Sequence, residues 1–215
     1  MILYGSSVSP FVRKVLAFAS EKGIEMDNKP VGMASENPEF TRASPFKKMP
    51  ALVDGEFTLA DSSAIVQYLE ALHPDPNLIP IEARARGRTI WWDEWADTLL
   101  FACGGKIFFN RIVAPRFLGR PGDDAVADQA ECDELPPLLD YLEREIPASG
   151  YLVEDRLTLA DIAVASPFAN FDYLELDLAG WPRIKAYVGE TLSRPSFAGQ
   201  IAGDRALFAK LAQKI

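Results

Sequence analysis

Histidine and cysteine are almost missing from this sequence. His73 is the one histidine, and Cys103 and Cys132 are the two cysteines, in 215 residues. The two cysteines have neither a disulfide-framework nor a metal-ligand spacing. That excludes a stapled secreted fold and a Cys/His metal centre, and it fits a reduced, cytoplasmic setting. Both read as buried packing residues of a helical region. His73, just before Pro74, reads as a helix C-terminal cap. Long apolar runs are missing too: nothing approaches the roughly 18 residues that a membrane span needs. The opening Met1-Ile2-Leu3-Tyr4-Gly5-Ser6 lacks the order of a signal peptide.

Positive charge is scarce. Lys and Arg number 22 against 31 Asp and Glu, a formal charge of −9. Phosphate binding needs a clustered basic surface, so nucleic acid is excluded as a partner. An anionic ligand would need a local island of positive charge. Low-complexity tracts and internal repeats are also absent. With 48% apolar residues, the chain can bury a core without metals or disulfides.

What is present divides near residue 80. Ile2-Leu3-Tyr4 fits a short buried strand. Ser9 at an N-cap and Pro10 at the first helical position start a helix that carries Phe11, Val15 and Phe18 and stops at Gly23. Residues 26–31 fit a second strand, and the polar stretch from Gly32 to Lys48 holds at most a short helix. Asp54-Gly55, between Ala51-Leu52-Val53 and Phe57-Thr58-Leu59, predicts a two-residue hairpin. A further helix runs from Asp61 to the stop at His73-Pro74. Beyond a linker at 80–86, strand signals vanish, and residues 86–113, 125–144, 159–174 and 184–192 read as helices. The expected architecture is an α/β domain over residues 1–79 followed by an all-helical domain over 87–215.

Three features carry chemistry. Ser9 sits where a hydroxyl can donate to an anion beside a helix N-terminus, and a thiolate is one such anion. Moving a thiol from about 8.5 to about 6.5 takes about 2.7 kcal/mol. A hydrogen bond to a charged group supplies ~1.5–3 kcal/mol and the helix end ~0.3–1, so no general base is needed. The thiolate fraction at pH 7 would then rise from about 3% to about three quarters. Ser9 can equally cap its helix, and the two roles are compatible. Next, Lys47-Lys48-Met49-Pro50 places adjacent positive charges before a strand. A cis Pro50 would present the Met49 N–H and C=O to an extended peptide; a trans Pro50 would simply start the strand. Finally, Asp61-Ser62 opens a helix whose N–H groups could hold a carboxylate while Asp61 pairs with an ammonium, or Asp61 merely caps it.

These segments resemble the soluble glutathione transferases of the serine type, bacterial-like in cast. The carriers are Ser6-Ser7-Val8-Ser9-Pro10-Phe11-Val12-Arg13-Lys14-Val15, Ser44-Pro45-Phe46-Lys47-Lys48-Met49-Pro50-Ala51-Leu52 and Leu59-Ala60-Asp61-Ser62-Ser63-Ala64-Ile65. Thr158-Leu159-Ala160-Asp161 is similar to the family's capping box, and Trp181-Pro182-Arg183-Ile184 and Arg194-Pro195-Ser196-Phe197 to its closing helices. The resemblance implies a thioredoxin-like first domain, glutathione as co-substrate, no metal, and a two-fold homodimer acting in detoxification.

Residue by residue, it implies that Ser9 donates to the glutathione sulfur and that Phe11 lies beside it. The Met49 backbone, with Pro50 cis, would pair with the cysteinyl main chain. Lys48 would approach the glycine carboxylate, and Asp61 with Ser62 would hold the γ-glutamyl end. Lys47 stands where the family has a small residue, so either lysine is a candidate, and Ser6 and Ser7 compete with Ser9 for the sulfur. An apolar electrophile would sit by Phe11, Phe101 and Phe108, with Gly104-Gly105 opening space or kinking the helix. The expected activity is conjugation of glutathione to an electrophile. A glutathione-dependent isomerase or peroxidase, and a non-catalytic glutathione-binding regulatory module, are the alternatives.

Overall fold

The computed structural model describes residues 1–32 and 35–212. Residues 33–34, in the polar stretch expected to hold at most a short helix, and 213–215, at the end of the expected helical domain, lie outside the described residues.

The first part is a four-stranded sheet in the order β2-β1-β3-β4. Strand β1 (Ile2–Tyr4) pairs in parallel with β2 (Asp27–Lys29) through the crossover helix α1 (Pro10–Glu21). The short α2 (Pro38–Ala43) leads into β3 (Ala51–Asp54), which runs antiparallel to β1 and to β4 (Phe57–Ala60). Helix α3 (Ser62–Leu72) follows. The ends of α1 match the sequence: Ser9 is the N-cap, Pro10 opens the helix, and Lys22 caps it just before Gly23.

The hairpin is displaced by one residue from its expected place. Asp54 pairs with Phe57, so the two-residue loop is Gly55-Glu56. Gly55 has φ 59°, and a glycine at the first loop position is what a type II′ turn requires.

After Ala60 all regular structure among the described residues is helical. Helices α4 (Ala83–Glu94) and α5 (Phe101–Phe108) form one continuous rod with π-helical turns at Trp95–Leu100 and Phe109–Phe117. Helices α6 (Asp124–Gln129) and α7 (Leu135–Glu145) are likewise joined by a π-helical Ala130–Glu134. Then come α8 (Leu159–Tyr173), α9 (Pro182–Ser193) and α10 (Pro195–Ala212). Periodicity alone did not reveal α10. The class is therefore the expected one, a small α/β unit followed by helices.

One hydrophobic core runs through both parts. Val12, Val15 and Phe18 of α1 and Ile65 and Leu69 of α3 join Trp92, Trp95, Leu100, Ile162 and Phe171. Helix α8 is the centre of the helical part, buried from Leu159 to Phe171. Its first turn carries the capping box: Asp161 Oδ2 accepts from the Thr158 N–H at 2.9 Å. Trp92 and Trp95 pack against Tyr141, whereas Trp91 stays 43% exposed. Among the described residues, no helix is long and apolar enough to cross a membrane.

Candidate functional site

The end of β1, the start of α1, the turn before β3 and the start of α3 supply the predicted residues. Ser9 is half-buried at the N-cap with extended backbone (φ −73°, ψ 125°), and its hydroxyl has no hydrogen-bond partner among the described residues. Its neighbours are committed. Ser7 Oγ donates to Asp204 Oδ1 at 2.5 Å, and Ser6 Oγ accepts from the Val8 N–H at 3.4 Å. Of the three hydroxyls competing for an external anion, Ser9 is the one without an internal role, and it alone stands at the mouth of α1.

The Met49–Pro50 peptide bond is cis. Lys47 and Lys48 are both exposed and take part in no ion pair among the described residues. The turn that carries them is held by Ser44, which is buried. Its hydroxyl donates to the Lys48 carbonyl at 2.7 Å and accepts from the Lys48 N–H at 3.0 Å. Lys47 adopts φ 54°, in the left-handed region.

Asp61 caps α3: Oδ1 accepts from the Ala64 N–H at 3.0 Å. Its backbone has φ 83°, a region that costs a non-glycine residue ~1–3 kcal/mol and is held only where the surroundings impose it. The Asp61 side chain is exposed, whereas Ser62 is buried and its hydroxyl donates to Asp97 Oδ2 at 3.3 Å.

The apolar residues separate. Phe11 and Phe101 meet edge to face with centroids 4.4 Å apart. Phe108 packs instead with Val8, Ile112 and Phe208. A crevice of about 10 Å³, room for one water, lies among Pro10, Phe101, Gly104, Gly105 and Phe171. An open cavity of about 190 Å³ borders the Val8 cluster, lined by Ile112, Arg116, Tyr173 and Phe208 among others. The two glycines serve packing. A Cβ on Gly104 would lie 2.4 Å from Phe171 Cε1, and one on Gly105 would lie 3.3 Å from the Phe101 ring.

Sequence reasoning missed the buried charges behind the site. Arg13 donates to the Ser166 carbonyl and Asn170 Oδ1, both at 2.8 Å, and to Asp204 Oδ2 at 3.0 Å. Asn170 in turn donates to the Val8 carbonyl at 3.0 Å. Lys14 reaches Asp93 and Asp97, both at 2.6 Å, and Ser63 Oγ at 3.2 Å. Burial alone would lower the Lys14 pKa, but the two carboxylates outweigh it and hold the ammonium charged. Burial, with Asp93 beside it, raises Asp97.

The cysteines lie away from these elements. Burial pushes the Cys103 thiol up to about 11. Cys132 is exposed, correcting the expectation that both are buried: it sits on the outer face of the π-helical turn between α6 and α7. Among the described residues, no group of three or more His, Cys, Asp or Glu is placed to hold a metal.

The chain matches two family models, the N-terminal domain of glutathione S-transferases over residues 3–77 and their C-terminal domain over 124–190. Glutathione S-transferase 3 of Zea mays is 29% identical over 215 residues, spanning 93% of this chain and 92% of that protein. Two solved structures are similar along their whole length. A glutathione S-transferase I bound with lactoylglutathione has TM-score 0.82 and 26% identity, covering 94% of this chain and 98% of its own. Glutathione S-transferase I from mais in complex with an atrazine glutathione conjugate has TM-score 0.81 and 26% identity, covering 94% and 96%.

Proposed function

This chain belongs to the glutathione S-transferase family of enzymes, and from that premise we propose that Ser9 ionises the thiol of bound glutathione for attack on a small apolar electrophile. The Ser9 hydroxyl donates to the sulfur, and the amino end of α1 adds favourable potential to the anion formed. The thiol proton leaves to solvent. The sulfur then forms a C–S bond with an electrophilic carbon; in a substitution the leaving group departs with the bonding pair, and in an addition to an activated alkene the π pair moves to the neighbouring carbon, which takes a proton from solvent.

The single observation that carries this reading is the Ser9 hydroxyl, unpartnered within the described chain while Ser6 and Ser7 are each engaged. The rest of the tripeptide is assigned to the same edge of the sheet, where Tyr4, Ala51 and Ala60 stand in register. Its glycine carboxylate goes to Lys48, or to Lys47 beside it, and its cysteinyl main chain to the Met49 backbone. Its γ-glutamyl end goes to Asp61 and the first N–H groups of α3. The Ser62 hydroxyl, turned toward Asp97, supports that end by fixing the helix start. This meets the charge problem of an acidic protein: two exposed lysines and a helix N-terminus form the local island an anionic ligand needs. The electrophile enters from the side of the Phe11–Phe101 pair, and Phe108, packed with Val8, Ile112 and Phe208, does not line it. The reading includes the two-domain division near residue 80, a homodimer and a cytoplasmic location, as the family resemblance implies.

The test is steady-state conjugation by wild type and Ser9→Ala across a panel of chloroarenes and activated alkenes. Loss of one charge-assisted hydrogen bond predicts a fall in kcat of at least about fivefold at pH 6.5, shrinking at higher pH as the thiol ionises unaided. Unchanged kcat in Ser9→Ala would remove the role assigned to this hydroxyl.

A further inference from the structure

We propose that Asp204 of α10 is a positioning residue for the Ser9 hydroxyl, acting through Ser7 and Arg13. This rests on Ser9 being the thiol's partner. The carboxylate is buried and fully engaged. Oδ1 accepts from Ser7 Oγ at 2.5 Å, while Oδ2 accepts from Arg13 Nη2 at 3.0 Å and from the Tyr173 hydroxyl at 3.1 Å. Arg13 passes the constraint on through Asn170, whose amide holds the Val8 carbonyl. Residues 7 and 8 are thus each fastened by a buried side chain, and residue 9 follows directly.

Ser9 itself is fixed through its backbone, its N–H donating to the Ser6 carbonyl at 2.9 Å. Its own side chain takes no part in the anchoring. A loop between a strand and a helix has the freedom to wander by more than the tolerance of a hydrogen bond to a sulfur. Here that freedom is removed by groups outside the loop, from α8 and α10, far along the chain. Nothing about helix packing demands that Asp204 also reach Ser7. Arg13 already compensates its charge and Tyr173 donates a further hydrogen bond, and the third bond goes to the loop. Asp204 touches neither sulfur nor electrophile, so its contribution is to orientation.

Two substitutions separate this from a purely structural role. Ser7→Ala cuts the loop bond and leaves the Arg13–Asp204 pair intact, and Asp204→Asn removes the charge while keeping the shape. Each is measured alone and combined with Ser9→Ala, by kcat, glutathione KM, and the pH midpoint of thiolate absorbance in bound glutathione. The expected result for Ser7→Ala is a fall in kcat of about tenfold with KM within about twofold, and an upward shift of the thiolate midpoint. In the Ser9→Ala background the same change should cost less than about twofold. If Ser7→Ala and Asp204→Asn fold with wild-type kcat and midpoint, or if their losses simply multiply with that of Ser9→Ala, the inference is overturned while the Ser9 assignment stands. If Ser9→Ala is silent and Ser7→Ala is not, the Ser9 assignment fails and this inference with it.

Discussion

Arg13 and Lys14 are neighbours on α1, both buried, and their charges run to different ends of the candidate site. Arg13 is paired with Asp204 and braces the loop before Ser9; Lys14 is paired with Asp93 and Asp97 and braces the start of α3. Helix α1 thus ties the sulfur end and the γ-glutamyl end of the proposed ligand to the helical part of the molecule.

Breaking the Lys14 cluster is expected to be costly. Lys14→Met leaves two carboxylates facing each other in the interior and should destabilise the fold by about 3–5 kcal/mol in urea denaturation. Adding Asp93→Asn should restore part of that loss, because the like charges no longer oppose.

Asp61→Asn distinguishes capping from ligand binding. Asparagine caps a helix about as well as aspartate, so the unfolding midpoint should barely move. Glutathione KM should rise about tenfold or more if the carboxylate meets the ligand's ammonium. An unchanged KM, with the midpoint equally unmoved, would leave Asp61 as a cap alone.

The glycines of α5 should respond differently to alanine. Gly104→Ala drives a Cβ into the Phe171 ring and should destabilise by about 1–3 kcal/mol. Gly105→Ala meets the Phe101 ring at 3.3 Å. A small shift of the half-buried ring relieves that contact, so the helix-propensity gain of up to about 1 kcal/mol should leave stability near wild type. Thermal unfolding of the two variants checks the contrast.

Two carboxyl groups give opposite slopes of stability against pH. The hydrogen bond from Arg194, with one from Ser196, holds Glu21 below its ordinary value of 4.5. The unfolded chain therefore binds that proton first, and the stability Glu21 contributes is complete above about 4.5 and lost as pH falls through its lowered value. Burial raises Asp161 from 3.8 to about 6, against the hydrogen bonds it accepts. Its contribution is largest below about 4 and declines as pH rises to about 6. Urea midpoints from pH 3 to 7 should lose the acid-side fall in Glu21→Gln and the decline between about 4 and 6 in Asp161→Asn.

Much of this was legible from residues that act locally. Ser9-Pro10 and the Lys22-Gly23 end of α1, and Thr158 with Asp161, set helix boundaries through neighbouring backbone groups, so the sequence shows them directly. The hairpin was displaced by one because the signal is the glycine, and Asp54 belongs to the ladder rather than the turn. Helix α10 was legible only through the resemblance carried by Arg194-Pro195-Ser196-Phe197, because glycines and alternating polar residues weaken its apolar stripe. Arg13, Lys14, Asp93, Asp97 and Asp204 were missed for a different reason. A charge reads as solvated unless its partner is known, and Arg13 finds Asp204 at a separation of 191 positions. Ser62 is the subtler case: the sequence offered its hydroxyl to the ligand, and the fold gives it to Asp97.

The most direct measurement is the pH titration of thiolate absorbance for glutathione bound to wild type and to Ser9→Ala. The account predicts a wild-type midpoint near 6.5, about two units below the free thiol, and a shift of at least about one unit upward in the variant. Equal midpoints in the two proteins would contradict it.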